Sequence, residues 1–166
     1  MVKQQGKPLV SLSAQQLMDC SGSYGNYGCS GGYMTYAYKY IADKGVTTDS
    51  SYPYKGAYQK CAFDGGEYTI KGFKEMKDCT AIANALYNIL IAVAVDASKF
   101  YNYKSGVFSD CSPSPQLNHA FALVGLTNDY WLGKEQWGLK FGENGYIRIA
   151  KAGSACGICQ MASYPF

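Results

Sequence analysis

Two kinds of side chain in this sequence can do chemistry beyond packing. One is the imidazole of His119, the chain's only histidine, set in "LNHAFALVG" behind a polar residue and ahead of a largely apolar run. The other is the thiol, present at Cys20, Cys29, Cys61, Cys79, Cys111, Cys156 and Cys159. An imidazole moves protons near neutral pH, and a thiol attacks as its thiolate, ligates a metal or forms a disulfide. Metal binding is the weaker use here: the cysteines are too widely spaced for a compact zinc knuckle, and one histidine adds little to a cluster. Disulfides are the better reading, with no metal and no cofactor expected. The odd count leaves at least one cysteine free or paired outside the chain.

Those groups need elements to hold them. In "SLSAQQLMDC", Ser13 can cap a helix and Gln16 can return the bond as a capping box, with Leu17 carried inward. "SGSYGNYGCSGG" is a glycine-dense loop, and "YMTYAYKYIADKG" reads as a second helix with Met34, Ala37, Tyr38 and Ile41 on one face and Gly45 as its stop. From "VTTDSSYPYKG" to "CAFDGG" the pattern is irregular. "DCTAIANALYNIL" predicts a third helix, capped by Asp78 or Thr80, with Ile82, Ala85, Leu86 and Ile89 at helical spacing. The period then changes in "IAVAVDA", where Val93 and Val95 share a strand face, and "HAFALVGL", "YWLGK" and "GYIRIA" read as further strands joined by glycine turns. Helices lead and strands follow, which predicts an α+β chain with a helical half, 1–90, and an antiparallel, barrel-like sheet half, 91–166. A cleft between two such halves is a usual place for a ligand.

Composition narrows the function classes. The 166 residues suffice for one or two small domains. Charged residues are 16%, below the usual share of about 25%, while 19 Gly and 16 Tyr point to a loop-rich chain. The net charge of +3 comes from scattered lysines rather than a basic stripe, so no nucleic-acid partner is expected. No apolar run reaches a membrane span, and "MVKQQGKPLV" lacks the apolar stretch of a signal peptide, so no membrane partner is expected. Either the protein stays inside the cell or an export signal lies elsewhere. Trp131, Trp137 and Phe141 are read as sheet packing, and the Ser-Pro alternation around Pro113 and Pro115 as a rigid surface loop.

Eight blocks, "VSLSAQQLMDCS", "GCSGGYMTYAYKYI", "SYPYKG", "VAVDA", "LNHAFALVG", "YWLGKEQWG", "GENGYIRIA" and "CGICQMASYPF", stand in the order and approximate spacing of the papain-like cysteine proteases. The chain resembles the cathepsin L-type members over nearly its whole length. The resemblance implies a papain-like two-domain fold, a substrate groove between the halves, and cysteine, histidine and asparagine doing the chemistry. Yet the family's nucleophile signature, C-G-[SA]-C-[WY], is absent. "VKQQG" looks like its lead-in, and Lys7 continues directly into "PLVSLS", which implies an internal deletion of roughly 25 to 30 residues with its seam near Gly6 and Lys7.

By resemblance, His119 matches the general base, Asn118 stands where an Asp usually precedes it, and Glu135 of "KEQWG" takes the place of the asparagine that orients the imidazole. Gln5 corresponds to the oxyanion-hole glutamine. Gly31 and Gly32 resemble the backbone that pairs with an extended peptide, and Met34, Ala92, Ala120 and Ala162 fall near an apolar substrate pocket. The resemblance pairs Cys20 with Cys61 and Cys111 with Cys156, each closure worth about 2 to 4 kcal/mol. It leaves Cys29 without its partner, a possible free thiol. Cys79 and Cys159 depart from the family pattern and could bond to each other.

Without a nucleophile, His119 and Glu135 supply a base and an orienting carboxylate but no attacking atom. The expectation is therefore a catalytically inactive homologue, a pseudoenzyme whose remaining groove takes a peptide or protein segment. The alternative is a truncated or spliced form of a cathepsin L-type cysteine endopeptidase that hydrolyses peptide bonds when complete. A third class is a structural or storage protein. The family resemblance implies a lysosomal or extracellular location. Loss of a hub helix from the helical half, beyond ordinary stability of about 5 to 15 kcal/mol, implies repacking, partial unfolding, self-association or a covering partner.

Overall fold

The computed structural model describes residues 8–166. Gln5 and the seam at Gly6 and Lys7 lie outside the described residues. The chain forms two compact units, one running through Lys74 and taking in Pro165–Phe166, the other Glu75–Tyr164.

The first unit is organised by helix α1, Ala14–Cys20, whose buried face is polar: Gln15, Gln16 and Asp19. Ser13 caps it, its Oγ accepting from Gln16 N at 2.9 Å and donating to the Tyr52 carbonyl at 2.6 Å. The reciprocal half of the expected capping box does not form, because Gln16 is used elsewhere. Its Nε2 donates to Tyr40 Oη and the Gly65 carbonyl, and its Oε1 accepts from Thr47 N. Gln15 bridges the Ala57 carbonyl and Lys55 N, and Asp19 accepts from Gln59 N and Tyr52 Oη. These three side chains serve backbone groups that a sheet would otherwise satisfy, which is how the irregular chain between 47 and 65 stays ordered without strands. Leu17, expected inward, is only half-buried for the same reason.

Helix α2, Met34–Lys44, buries Tyr40 alone, while Met34, Ala37, Tyr38 and Ile41 are half-buried. Gly45 ends it at φ +79°, and a Cβ there would meet the Gly66 carbonyl oxygen at 2.2 Å, so glycine is the residue this close crossing admits. Cys20–Cys61 ties α1 to the irregular segment.

The second unit has an apolar core. Helix α3, Cys79–Leu86, is capped by Asp78, whose Oδ2 accepts from Ala81 N at 2.7 Å, and buries Ile82 and Leu86. The strands are β1 Phe73–Met76, β2 Ile91–Val95, β3 Val107–Phe108, β4 His119–Leu126, β5 Tyr130–Lys134, β6 Tyr146–Ala150 and β7 Ala162–Pro165. Period-two alternation drives Ile91, Val93 and Val95 of β2, Phe121 and Leu123 of β4, Trp131 of β5, and Ile147 and Ile149 of β6 into one core. Cys79–Cys159 and Cys111–Cys156 both close within this unit.

The sheet corrects the expectation of an antiparallel, barrel-like half. Its order is β1-β7-β2-β4-β5-β6-β3, an open arrangement with β1 and β3 at its edges. It is also mixed, since β3 joins β6 in parallel with Val107 opposite Arg148. Closure needs edge strands that pair with each other, and these edges are only four and two residues long. The α+β class stands. Among the described residues no helix is long and apolar enough to cross a membrane.

Candidate active site

His119 opens β4, opposite Val95 at the end of β2. Its position is fixed by the turn that Asp96 organises just beyond Val95. The Asp96 carboxylate accepts from Ser98 Oγ at 2.5 Å, Ser98 N at 3.0 Å and Gln116 N at 3.1 Å. The Ser98 hydroxyl, then the backbone donors of Ser98 and Gln116, hold this carboxyl below the usual range. Asn118 N donates to the Val95 carbonyl, and Asn118 Oδ1 accepts from Ala97 N at 2.9 Å. The residue before the histidine is thus a clasp between the ends of β2 and β4.

Glu135 follows β5 and presents Oε2 to His119 Nε2 at 2.7 Å. Its side chain is fully buried, whereas that of His119 is 18% exposed. Two anchors hold this segment: Glu135 N donates to the Gly145 carbonyl at 2.9 Å, and Gln136 Nε2 donates to the Ala120 carbonyl at 2.7 Å. Glu135 Oε1 is buried and has no hydrogen-bond partner among the described residues. With Glu135 Oε2 as the acceptor of this contact, Nε2 is its donor and Nδ1 is the nitrogen that faces away from the carboxylate. Trp137 lies over the imidazole, with ring centroids 4.5 Å apart and planes 28° from parallel, and meets Phe141 edge-on at 4.9 Å. The ring is therefore held by a carboxyl oxygen at one nitrogen and a flat apolar cover on one face.

Trp137 departs from its expected packing role, being 44% exposed. Spacing could not reveal the stack, because it depends on a turn after β5 rather than on strand alternation. Asp96, too, was missed, although a carboxylate ending a core strand before "ASK" was a visible signal.

The other candidate residues fall as follows. Ala92 and Ala120 lie on one face of the sheet: Ala120 is opposite Ala94, two residues along β2 from Ala92. Ala162 is opposite Val93, on the core face, and only 2% exposed. Opposite Ala92 stands Ser163 instead, and the Met161 carbonyl accepts from Ala94 N. In the first unit, Gly31 and Gly32 are exposed and lead into α2, which begins at Met34. A Cβ at Gly32 would meet Asn26 Oδ1 at 2.1 Å and displace the side chain that accepts from Tyr33 N. Cys29 is the one free thiol and is exposed.

The sequence profile of the papain family cysteine proteases matches residues 1–166. The chain belongs to this family. It is 44% identical to cathepsin S of Bos taurus over 99% of its own length and 54% of that protein's. It thus spans about half the length of the curated relatives it matches. Among solved structures it follows digestive procathepsin L 3 of the Tenebrio molitor larval midgut with a TM-score of 0.90 at 41% identity, covering 99% of this chain and 58% of that one. It follows the Carica candamarcensis cysteine protease CMS1MS2 with a TM-score of 0.86 at 34% identity, covering 95% of this chain and 78% of that one.

These likenesses overturn the expectation of a catalytically inactive homologue. Nearly the whole of this chain follows the fold of those proteins, with its helices and disulfides formed.

Proposed function

We propose that this chain is a form of a cathepsin L-type cysteine endopeptidase, hydrolysing peptide bonds when complete. The observation that carries the reading is the His119–Glu135 contact of 2.7 Å beneath Trp137, an imidazole held at one nitrogen and on one face. His119 Nδ1 takes the proton of an attacking thiol, Glu135 compensates the imidazolium formed at Nε2, and the same proton passes on to the leaving amine. The nucleophile belongs to a segment between Gly6 and Lys7 that these residues lack. Gln5 is the candidate oxyanion donor, and Gly31, Gly32, Met34, Ala92 and Ala120 are candidate contacts for a peptide substrate. Three disulfides suit the lysosomal or extracellular setting of such enzymes.

The test restores the corresponding cathepsin S segment between Gly6 and Lys7 and measures labelling by an epoxide thiol probe alongside hydrolysis of a fluorogenic peptide. Stoichiometric labelling of the inserted cysteine, with hydrolysis abolished by His119→Ala, is expected. A folded insertion variant that neither labels nor hydrolyses would overturn the reading. Labelling at Cys29 in the unaltered chain, with hydrolysis lost in Cys29→Ala, would move the nucleophile there.

A further inference from the structure

Trp137 also borders a cavity. Together with Ala97, Tyr101, Phe141, Lys104 and Lys140 it lines a cavity of about 490 Å³ in the second unit. Tyr101 is 89% exposed, so the walls offer open aromatic surface. The acidic groups near these residues in the sequence are already engaged. Glu135 is bonded to His119, Glu143 to Arg148 and Asp110 to Lys99, while Asp96 is buried within its own turn. Lys104 and Lys140 have no ion-pair partner among the described residues. The cavity therefore combines an aromatic wall shared with the imidazole's cover and two uncompensated ammonium groups. Such a surface attracts a carboxylate on a short apolar stem, the stem against the rings and the charge toward the lysines.

We infer that this pocket selects an acidic residue, Asp or Glu, in the peptide bound beside His119. The inference rests on the endopeptidase reading and names a substrate preference for it. The pocket uses none of the missing nucleophile segment, so binding to the existing chain can be measured. Trp131 is fully buried and Trp137 is exposed, so a ligand in the cavity perturbs Trp137 emission selectively.

The experiment titrates the chain at low salt with two capped peptides that differ only by Glu against Gln, following tryptophan emission. The Glu peptide is expected to bind about three- to ten-fold more tightly, the scale of one or two solvent-facing charge pairs. That advantage should vanish in a Lys104→Met, Lys140→Met variant and fade at high salt. Both lysines are exposed, so the double variant should keep the parent melting temperature. Equal affinities in the parent chain, no saturable binding of the Glu peptide, or an advantage that survives the double variant would each overturn the inference. Failure of the two readings is distinguishable. An insertion variant that cleaves Glu and Gln peptides alike would sink the pocket and leave the endopeptidase, whereas acid-selective binding without cleavage would do the reverse.

Discussion

The two units are stabilised by different chemistry. In the second, seventeen buried apolar side chains form one cluster under a sheet, with Trp131, Ile147 and Ile149 fully enclosed. In the first, the buried set is dominated by Ser13, Gln15, Gln16, Asp19, Ser21 and Thr47, joined by Tyr40, Val46 and Tyr52. An apolar core is non-directional and tolerates imperfect geometry, whereas a buried polar network must be satisfied almost completely or it costs more than it contributes. The comparison separates tasks. The sheet unit supplies a rigid mount for His119 and Glu135, and the helical unit fixes an irregular chain through side-chain hydrogen bonds.

Ile149→Ala should have the largest effect, a loss of about 2 to 5 kcal/mol for an enclosed core side chain. Denaturant unfolding followed by regional hydrogen exchange should show the loss concentrated in the strands of the second unit. Uniform loss across both units would erase the contrast. Gln16→Ala should cost less, about 1 to 3 kcal/mol, because it strands Thr47 N and the Tyr40 hydroxyl without Gln16 as partner. Its exchange signature should fall on residues 44–66 rather than on the sheet. A Gln16→Leu variant as stable as the parent would show that the network is replaceable by apolar contact.

Acid should sharpen the contrast with the smallest effect. In the second unit the Ser98 hydrogen bond holds the Asp96 carboxyl down, and Arg148 does the same to Glu143. Carboxyls lowered on folding contribute stability that is present above their unfolded values, roughly pH 4, and lost as pH falls through the lower folded values. In the first unit the resolved shifts are upward and belong to phenols. Tyr24 is pushed up to about 12, chiefly by its hydrogen bond to Asp43, and burial raises Tyr40 and Tyr52. Their contribution is present below about pH 10 and lost as pH rises through the folded values. Below pH 4, exchange should therefore quicken first around 96–98 and 116–118. Unchanged exchange around 96–98 and 116–118 below pH 4 would contradict the assignment.

Legibility in the sequence follows the same division. The β2, β4, β5 and β6 segments and the Asp78 cap were readable because alternation and capping are local signals of what gets buried. The polar face of α1 was not readable, since Gln15 and Gln16 are buried by distant backbone groups that periodicity does not see. The open edges, the parallel β3 and the Cys79–Cys159 bond are likewise long-range facts. At the site, the His119–Glu135 pairing was legible only through family resemblance. The Trp137 cover and the Asp96 turn needed coordinates, as did the one-residue register difference that puts Ala162 in the core and Ser163 opposite Ala92.

The central claim is that His119 is a held and oriented base. Heteronuclear NMR of the imidazole nitrogens tests it without a nucleophile or a substrate, and the single histidine makes assignment immediate. The account predicts a proton resident on Nε2, exchanging slowly with solvent, an unprotonated Nδ1 in the neutral ring, and loss of the slow Nε2 proton in Glu135→Ala. An imidazole that averages between tautomers in the parent chain, unchanged by removal of the Glu135 carboxylate, would contradict it.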